Sequence, residues 1–228
     1  MRLLPLILLG MVLPPAALGI VLPERPPRGY IAADHTHHLL LISFRNTETR
    51  GNLLIDISMV QVDASTACPA CRAHMGFWIA ADAARRVLAG SVRDFMGRYP
   101  GYRLVITGHS LGGAIATLHA AFWRSRGVET DLYTFGAPSV GNYAFAAFIS
   151  DDWRGLGSNY RVTHLDDIVP KMLYRMSREP VIGLLMPEYS QSSPEYWITS
   201  VTGERVSRRD VSVIEGVNSE TGSLGCLW

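Results

Sequence analysis

Tyr102-Arg103-Leu104-Val105-Ile106-Thr107-Gly108-His109-Ser110-Leu111-Gly112-Gly113-Ala114 is the stretch from which the rest of the chain can be read. Its first half is a short apolar run of the kind that forms a strand buried on both faces, predicted over residues 102–107. Its second half opens an Ala-, Leu- and Ile-rich helix predicted over residues 111–126, with Gly127 as a C-terminal cap. Between them lies Gly108-His109-Ser110-Leu111-Gly112, a G-x-S-x-G pentapeptide. A serine on a sharp strand-to-helix turn has strained backbone angles, and side chains two residues to either side would collide, so glycine is required there. The helix that follows aims its N-terminal N–H groups at the reacting centre and favours a developing oxyanion. The pentapeptide alone has a chance probability on the order of 0.1 in a chain this long. Its placement directly between strand and helix is what makes Ser110 a candidate nucleophile.

Working outward, Leu39-Leu40-Leu41-Ile42-Ser43-Phe44 reads as another buried strand. Phe77, Ala81, Ala84, Leu88, Val92 and Phe95 recur at helical spacing, which predicts a helix over residues 77–99 stopped by Pro100-Gly101. Residues 132–135 form the next predicted strand, residues 142–151 a helix and residues 160–163 a further strand that stops before Pro170. This alternation predicts an α/β fold with a mostly parallel central sheet and helices on both faces. Residues 196–199 and 211–214, separated by a polar, glycine-containing stretch, read as an antiparallel pair at the sheet edge.

The chain has 228 residues, 48% of them hydrophobic and 18% charged, enough for one well-cored domain. A net charge of +1 supplies no basic field for nucleic acid. Residues 1–19 read as a secretory leader: Arg2, an uncharged apolar run from residue 3 to 13 too short to span a bilayer, a Pro14-Pro15 break, then small residues. The domain itself would be residues 20–228. Three cysteines are present, Cys68, Cys71 and Cys226. In a reducing compartment Cys68-Pro69-Ala70-Cys71 could be a redox pair or half a zinc site, but there is no second pair to complete one. In an exported protein a local disulfide is the simpler reading, and Cys226 is then left over.

A serine nucleophile needs a base, and the base needs an acid that orients it. In a strand-elbow-helix architecture the chain order is serine, acid, histidine. Asp166 and Asp167 follow the strand at residues 160–163, where the acid is expected, although an aspartate there can also be a turn or cap residue. None of the seven histidines (His35, His37, His38, His74, His109, His119, His164) lies beyond Asp167. His109 neighbours the nucleophile, but adjacent residues on such a turn point apart. His119 is expected to pack or to make a local hydrogen bond within its helix, and His164 to be structural. His35, His37 and His38 mark a solvated turn in preference to a metal site.

The stretch from Tyr102 to Ala114, together with Phe135-Gly136-Ala137-Pro138-Ser139-Val140-Gly141-Asn142, the segment at residues 161–170 and Ser192-Ser193-Pro194-Glu195-Tyr196-Trp197-Ile198, resembles the filamentous-fungal class 3 lipases. The resemblance runs over residues 30–216. It implies an α/β-hydrolase fold, secretion, hydrolysis of carboxylic esters such as triacylglycerols, a lipid or ester substrate met at a lipid–water interface, and no cofactor or metal. Residue by residue, it assigns the nucleophile to Ser110 and the triad acid to Asp167, which directly precedes Ile168-Val169-Pro170. It assigns the oxyanion hole to Thr47 and the backbone N–H of Leu111, and a short disulfide loop to Cys68 and Cys71. The family's C-terminal histidine has no counterpart, the N-terminal region is short, and the lid segment after Thr47 is reduced to a few residues. Those departures predict impaired turnover, an orphan Cys226 and apolar surface left uncovered. A feruloyl or other short-chain esterase and a non-catalytic lipid binder are the competing readings.

Overall fold

The computed structural model describes residues 19–21, 29–45, 59–150, 155–165 and 167–225. The predicted leader, apart from Gly19, lies outside the described residues, as do Thr47, Asp166 and Cys226. The centre is an eight-stranded sheet in the order β1 (Gly19–Val21), β2 (Gly29–Asp34), β3 (Leu39–Phe44), β6 (Arg103–His109), β7 (Thr130–Phe135), β8 (Asn159–His164), β9 (Glu195–Ile198), β10 (Val211–Ile214). Strands β3, β6, β7, β8 and β9 are mutually parallel, with antiparallel partners at both margins. A separate antiparallel pair joins β4 (Gln61–Asp63) to β5 (Arg72–His74). Among the described residues four α-helices accompany the sheet: α1 (Met75–Arg98), α2 (Leu111–Arg124), α3 (Tyr143–Ser150) and α4 (Val169–Met176). The mostly parallel sheet, its helices and the antiparallel C-terminal edge are those expected. Among the described residues no helix is long and apolar enough to cross a membrane.

The strands at the centre are buried as their composition demands. Leu40, Ile42 and Phe44 of β3 and Leu104 and Ile106 of β6 are in the core. On α1 the buried residues are the six at helical spacing, Phe77, Ala81, Ala84, Leu88, Val92 and Phe95. Helix α2 is different: residues 112–121 are all buried, because it lies against β6 and β7 on one side and α1 on the other. Glycine and alanine are what allow a helix to be enclosed in this way. The Cys68–Cys71 disulfide forms, as the spacing suggests, in the loop before β5.

Some elements were not foreseen. The strand at residues 160–163 does end before Pro170, but Pro170 then falls in the first turn of α4, where its missing N–H has no intrahelical acceptor to lose. Residues 29–34 form β2, which turns through residues 35–38 into β3. In that turn Asp34 accepts from the Thr36 N–H (2.8 Å) and bonds His37 Nδ1 (2.7 Å), while His35 Nδ1 meets the Tyr102 hydroxyl (2.9 Å). The three histidines therefore belong to a tied, exposed turn.

The far edge is fastened by a buried carboxylate. Glu195, at the start of β9, is 1% exposed. It accepts from Arg161 Nη1 (3.1 Å) and Thr163 Oγ1 (2.6 Å) of β8 and from the Ser223 N–H (3.1 Å) and hydroxyl. Burial alone would raise the Glu195 pKa; the Arg161 guanidinium and these donors reverse that and hold the carboxyl below its ordinary value.

A Cβ added at Gly112 would overlap the carbonyl of Phe44, whereas one added at Gly90, in the middle of α1, would meet nothing. Gly112→Ala is therefore expected to destabilise the protein by at least about 2 kcal/mol. Gly90→Ala is expected to stabilise it by about 0.5–1 kcal/mol. Urea unfolding followed by circular dichroism measures both, and equal effects would contradict the close approach of α2 to β3.

Candidate active site

Strand β6 runs two residues beyond the predicted end, to His109, so the chain turns at Ser110 itself. Ser110 has φ +53° and ψ −122°, a conformation that non-glycine residues adopt only when the surroundings impose it. Three contacts impose it here. The Ser110 N–H donates to the Phe135 carbonyl (2.9 Å), and the Ser110 carbonyl accepts from the N–H groups of Gly113 (2.9 Å) and Ala114 (3.1 Å). A Cβ on Gly108 would overlap the Gly112 carbonyl, and one on Gly113 would fall 2.7 Å from the Ala137 Cβ. The glycines that read as a motif are thus the points where backbone touches backbone. Leu111 is the first residue of α2, and a first-turn N–H has no acceptor within its own helix. The helix directs such N–H groups, with the positive end of its dipole, toward the Ser110 side of the elbow. Ser110 is 6% exposed.

Asp167 lies three residues past the end of β8. Its backbone N–H donates to the His164 carbonyl (3.1 Å), and its Oδ1 accepts from the Val169 N–H (3.0 Å). Its Oδ2 comes down over Gly136, the residue after β7, so closely that a Cβ there would overlap it. Gly136 has φ +55°, and its N–H donates to the Val162 carbonyl (2.9 Å). His109 Nε2 lies 3.6 Å from the same Cβ position. Ser110 is tied to Phe135, and Asp167 rests on Gly136, so two adjacent residues of one chain separate the candidate nucleophile from the candidate acid. In the sequence Gly136 stood out only within the stretch from Phe135 to Asn142 that carries the family resemblance; its part in seating the carboxylate depends on β8.

The other histidines fall elsewhere. His74 caps α1, its Nδ1 accepting from the Phe77 N–H (3.3 Å). His119 lies nine residues along α2 from Ser110, about 13 Å by helical rise. It is fully buried, its ring tilted against Phe44 at 4.7 Å, and its Nε2–H donates to the Ala81 carbonyl of α1 (3.1 Å). Burial pushes its pKa down to about 4, against the upward pull of the Ala81 hydrogen bond. It is a packing residue, as its place on an enclosed helix suggests. The Arg161–Glu195 pair, by contrast, was not singled out in the sequence. A glutamate next to Tyr196-Trp197-Ile198 was the available signal, being the one charge in an otherwise half-buried strand.

The Lipase (class 3) family description matches residues 41–176. The secreted mono- and diacylglycerol lipase A of Penicillium cyclopium is 37% identical over 198 residues, which cover 86% of this chain and 60% of that protein. The secreted mono- and diacylglycerol lipase 1 of Fusarium solani is 34% identical over 169 residues, covering 74% and 46% respectively. The chain thus spans about three fifths of the first relative and under half of the second. Among solved structures, the mono- and diacylglycerol lipase from Aspergillus oryzae superimposes with a TM-score of 0.77 at 32% identity, covering 90% of this chain and 72% of that one.

His119 also sets an acid limit. It is neutral when folded down to about pH 4, whereas in the unfolded chain it gains a proton below its ordinary value of 6.5. A depressed folded pKa means that stability is complete above pH 6.5 and is lost as pH falls toward 4, by on the order of 3 kcal/mol. Urea unfolding at stepped pH should show this slope, and His119→Gln should remove that share of it. An unchanged slope in the variant would contradict the burial of a neutral imidazole.

Proposed function

The chain belongs to the class 3 lipase family, and on that premise we propose that it is a secreted carboxylic ester hydrolase of triacylglycerol-lipase type. The observation that carries this reading is Ser110 held at φ +53° between β6 and α2. In this mechanism the Ser110 oxygen attacks the ester carbonyl carbon. The oxyanion that forms is met by the Leu111 N–H and by Thr47, and collapse expels the alcohol and leaves an acyl-serine. Water then attacks the acyl-serine, releasing the acid and restoring the hydroxyl. Asp167, seated over Gly136, orients the histidine that moves the proton in each half. The names of the relatives favour acylglycerols as the esters, and the Ser192-Ser193-Pro194-Glu195-Tyr196-Trp197 run favours a lipase over a feruloyl esterase.

The position of the base governs the rate. His109 and His164 flank the Asp167 side, and no histidine follows in these 228 residues. A protein of these residues alone is expected to be slow, with the oxyanion donors supplying only a residual enhancement of about 10³ to 10⁴ over water. A second reading is a lipid-binding protein built on the lipase frame.

Incubation with p-nitrophenyl butyrate and a serine-directed phosphonate separates the two. Covalent labelling is expected at Ser110, with slow ester turnover that Ser110→Ala lowers. Absence of labelling and turnover in the unaltered protein, or turnover indifferent to Ser110→Ala, would refute the hydrolase and leave the binder.

A further inference from the structure

Helices α1 and α2 meet where the His119 Nε2–H donates to the Ala81 carbonyl (3.1 Å). Beside that contact lies a cleft of about 350 Å³, counting the part open to solvent. Its lining includes Ala81, Leu118 and His119, all buried, and the half-buried rings of Trp78 and Phe122. The loop that carries the Cys68–Cys71 disulfide reaches it through Thr66 and Ala67. Phe122 follows Ser110 by twelve residues, about 18 Å by helical rise, so the cleft is separate from the elbow.

Guanidinium groups gather at this cleft. Arg85 pairs with one oxygen of Asp82, and Arg86 takes the other (2.9 Å). The Arg85 Cζ stands 4.8 Å from the Phe122 ring centre, and the Arg126 Cζ stands 3.6 Å from the same centre. Asp82 is the one acid in the lining among the described residues. A single carboxylate therefore faces three guanidiniums. The negative face of the Phe122 ring attracts two of them but carries no net charge to offset theirs. Partial burial, then the charges of Arg126 and Arg86, push the Arg85 pKa below its ordinary value. An anion set between Arg85 and Arg126 would turn that repulsion into attraction.

We propose that the α1–α2 cleft binds a free fatty acid, with the alkyl tail against Trp78 and Phe122 and the carboxylate on Arg85 and Arg126. Arginine offers a carboxylate paired N–H donors, and an apolar lining with a few placed charges is the usual make-up of a small-molecule site. A neutral apolar ligand would leave the guanidiniums unanswered, and a bare inorganic anion would leave the two rings in water. In the ester-hydrolase reading such an acid is the product, taken up at a distance from Ser110. Binding itself does not depend on that reading.

The test is isothermal titration calorimetry of the full chain with sodium decanoate below its micelle concentration. It is run on untreated protein and on protein first exposed to the serine-directed phosphonate. Saturable binding is expected in both. Decanol and acetate, each lacking half of the ligand, are expected to bind at least about tenfold more weakly. Arg85→Gln, Arg126→Gln and Trp78→Ala are each expected to weaken decanoate by about fivefold, with circular dichroism unchanged. Should loss of the Asp82 pair unfold Arg85→Gln, the exposed Arg126 decides through its own variant. Absence of binding, acetate or decanol binding as tightly as decanoate, or an affinity indifferent to Arg126→Gln would each overturn the site. Decanoate binding lost on phosphonate treatment would put the ligand at the elbow and overturn it too. If Ser110 is not labelled while the decanoate pattern holds, the hydrolase reading falls and the cleft stands.

Discussion

Backbone must touch backbone at the end of β6, and most of the molecule is arranged around that requirement. Ser110 can be held at φ +53° only if α2 begins directly beneath β3 and folds back on the strand that delivers it. Gly108 faces the Gly112 carbonyl, Gly112 faces the Phe44 carbonyl, and Gly113 faces Ala137. No side chain fits in any of these three gaps. The same closeness continues along α2, whose residues 112–121 are enclosed between sheet and α1 and are mostly small. The strain at one residue is thus held by a large buried surface, which is how a sparsely populated backbone conformation persists.

The acid side rests on a second close approach, at Gly136. Asp167 Oδ2 occupies the space a side chain would take there, and the Asp167 backbone is tied to the end of β8. The position of β8 therefore decides where the carboxylate sits. That strand is clamped to β9 by Arg161 and Glu195, and the same carboxylate holds Ser223, so the segment around Ser223 is fastened to the strand that leads to Asp167. A buried pair of this kind is weak as a source of stability but strict about register, because a slip would strand a charge in the core.

The elbow, the parallel alternation and the face of α1 were legible because each is a local pattern. A strand, a strained serine flanked by glycines and an enclosed helix all leave their mark within about a dozen residues, and the six apolar positions of α1 are the ones buried. Helix α4 was missed because Pro170 looks alike as a stop and as a first-turn residue; only the chain after it tells which. His119 was expected to pack or to make a local hydrogen bond, and it packs on Phe44 and donates to Ala81; helical rise carries it away from Ser110 and burial keeps it neutral.

By itself, the sequence determined the fold class, the position of Ser110 within it and the place of Asp167 after β8, since these follow from short-range sterics and from the order of strands and helices. Only the tertiary structure decided which groups meet: Asp167 with Gly136, Glu195 with Arg161 34 residues away, and His119 with Ala81. The reason is physical. Local sterics act between near neighbours in the chain, whereas charge pairing, desolvation and close approach depend on distances that the parallel sheet alone brings down to a few ångströms.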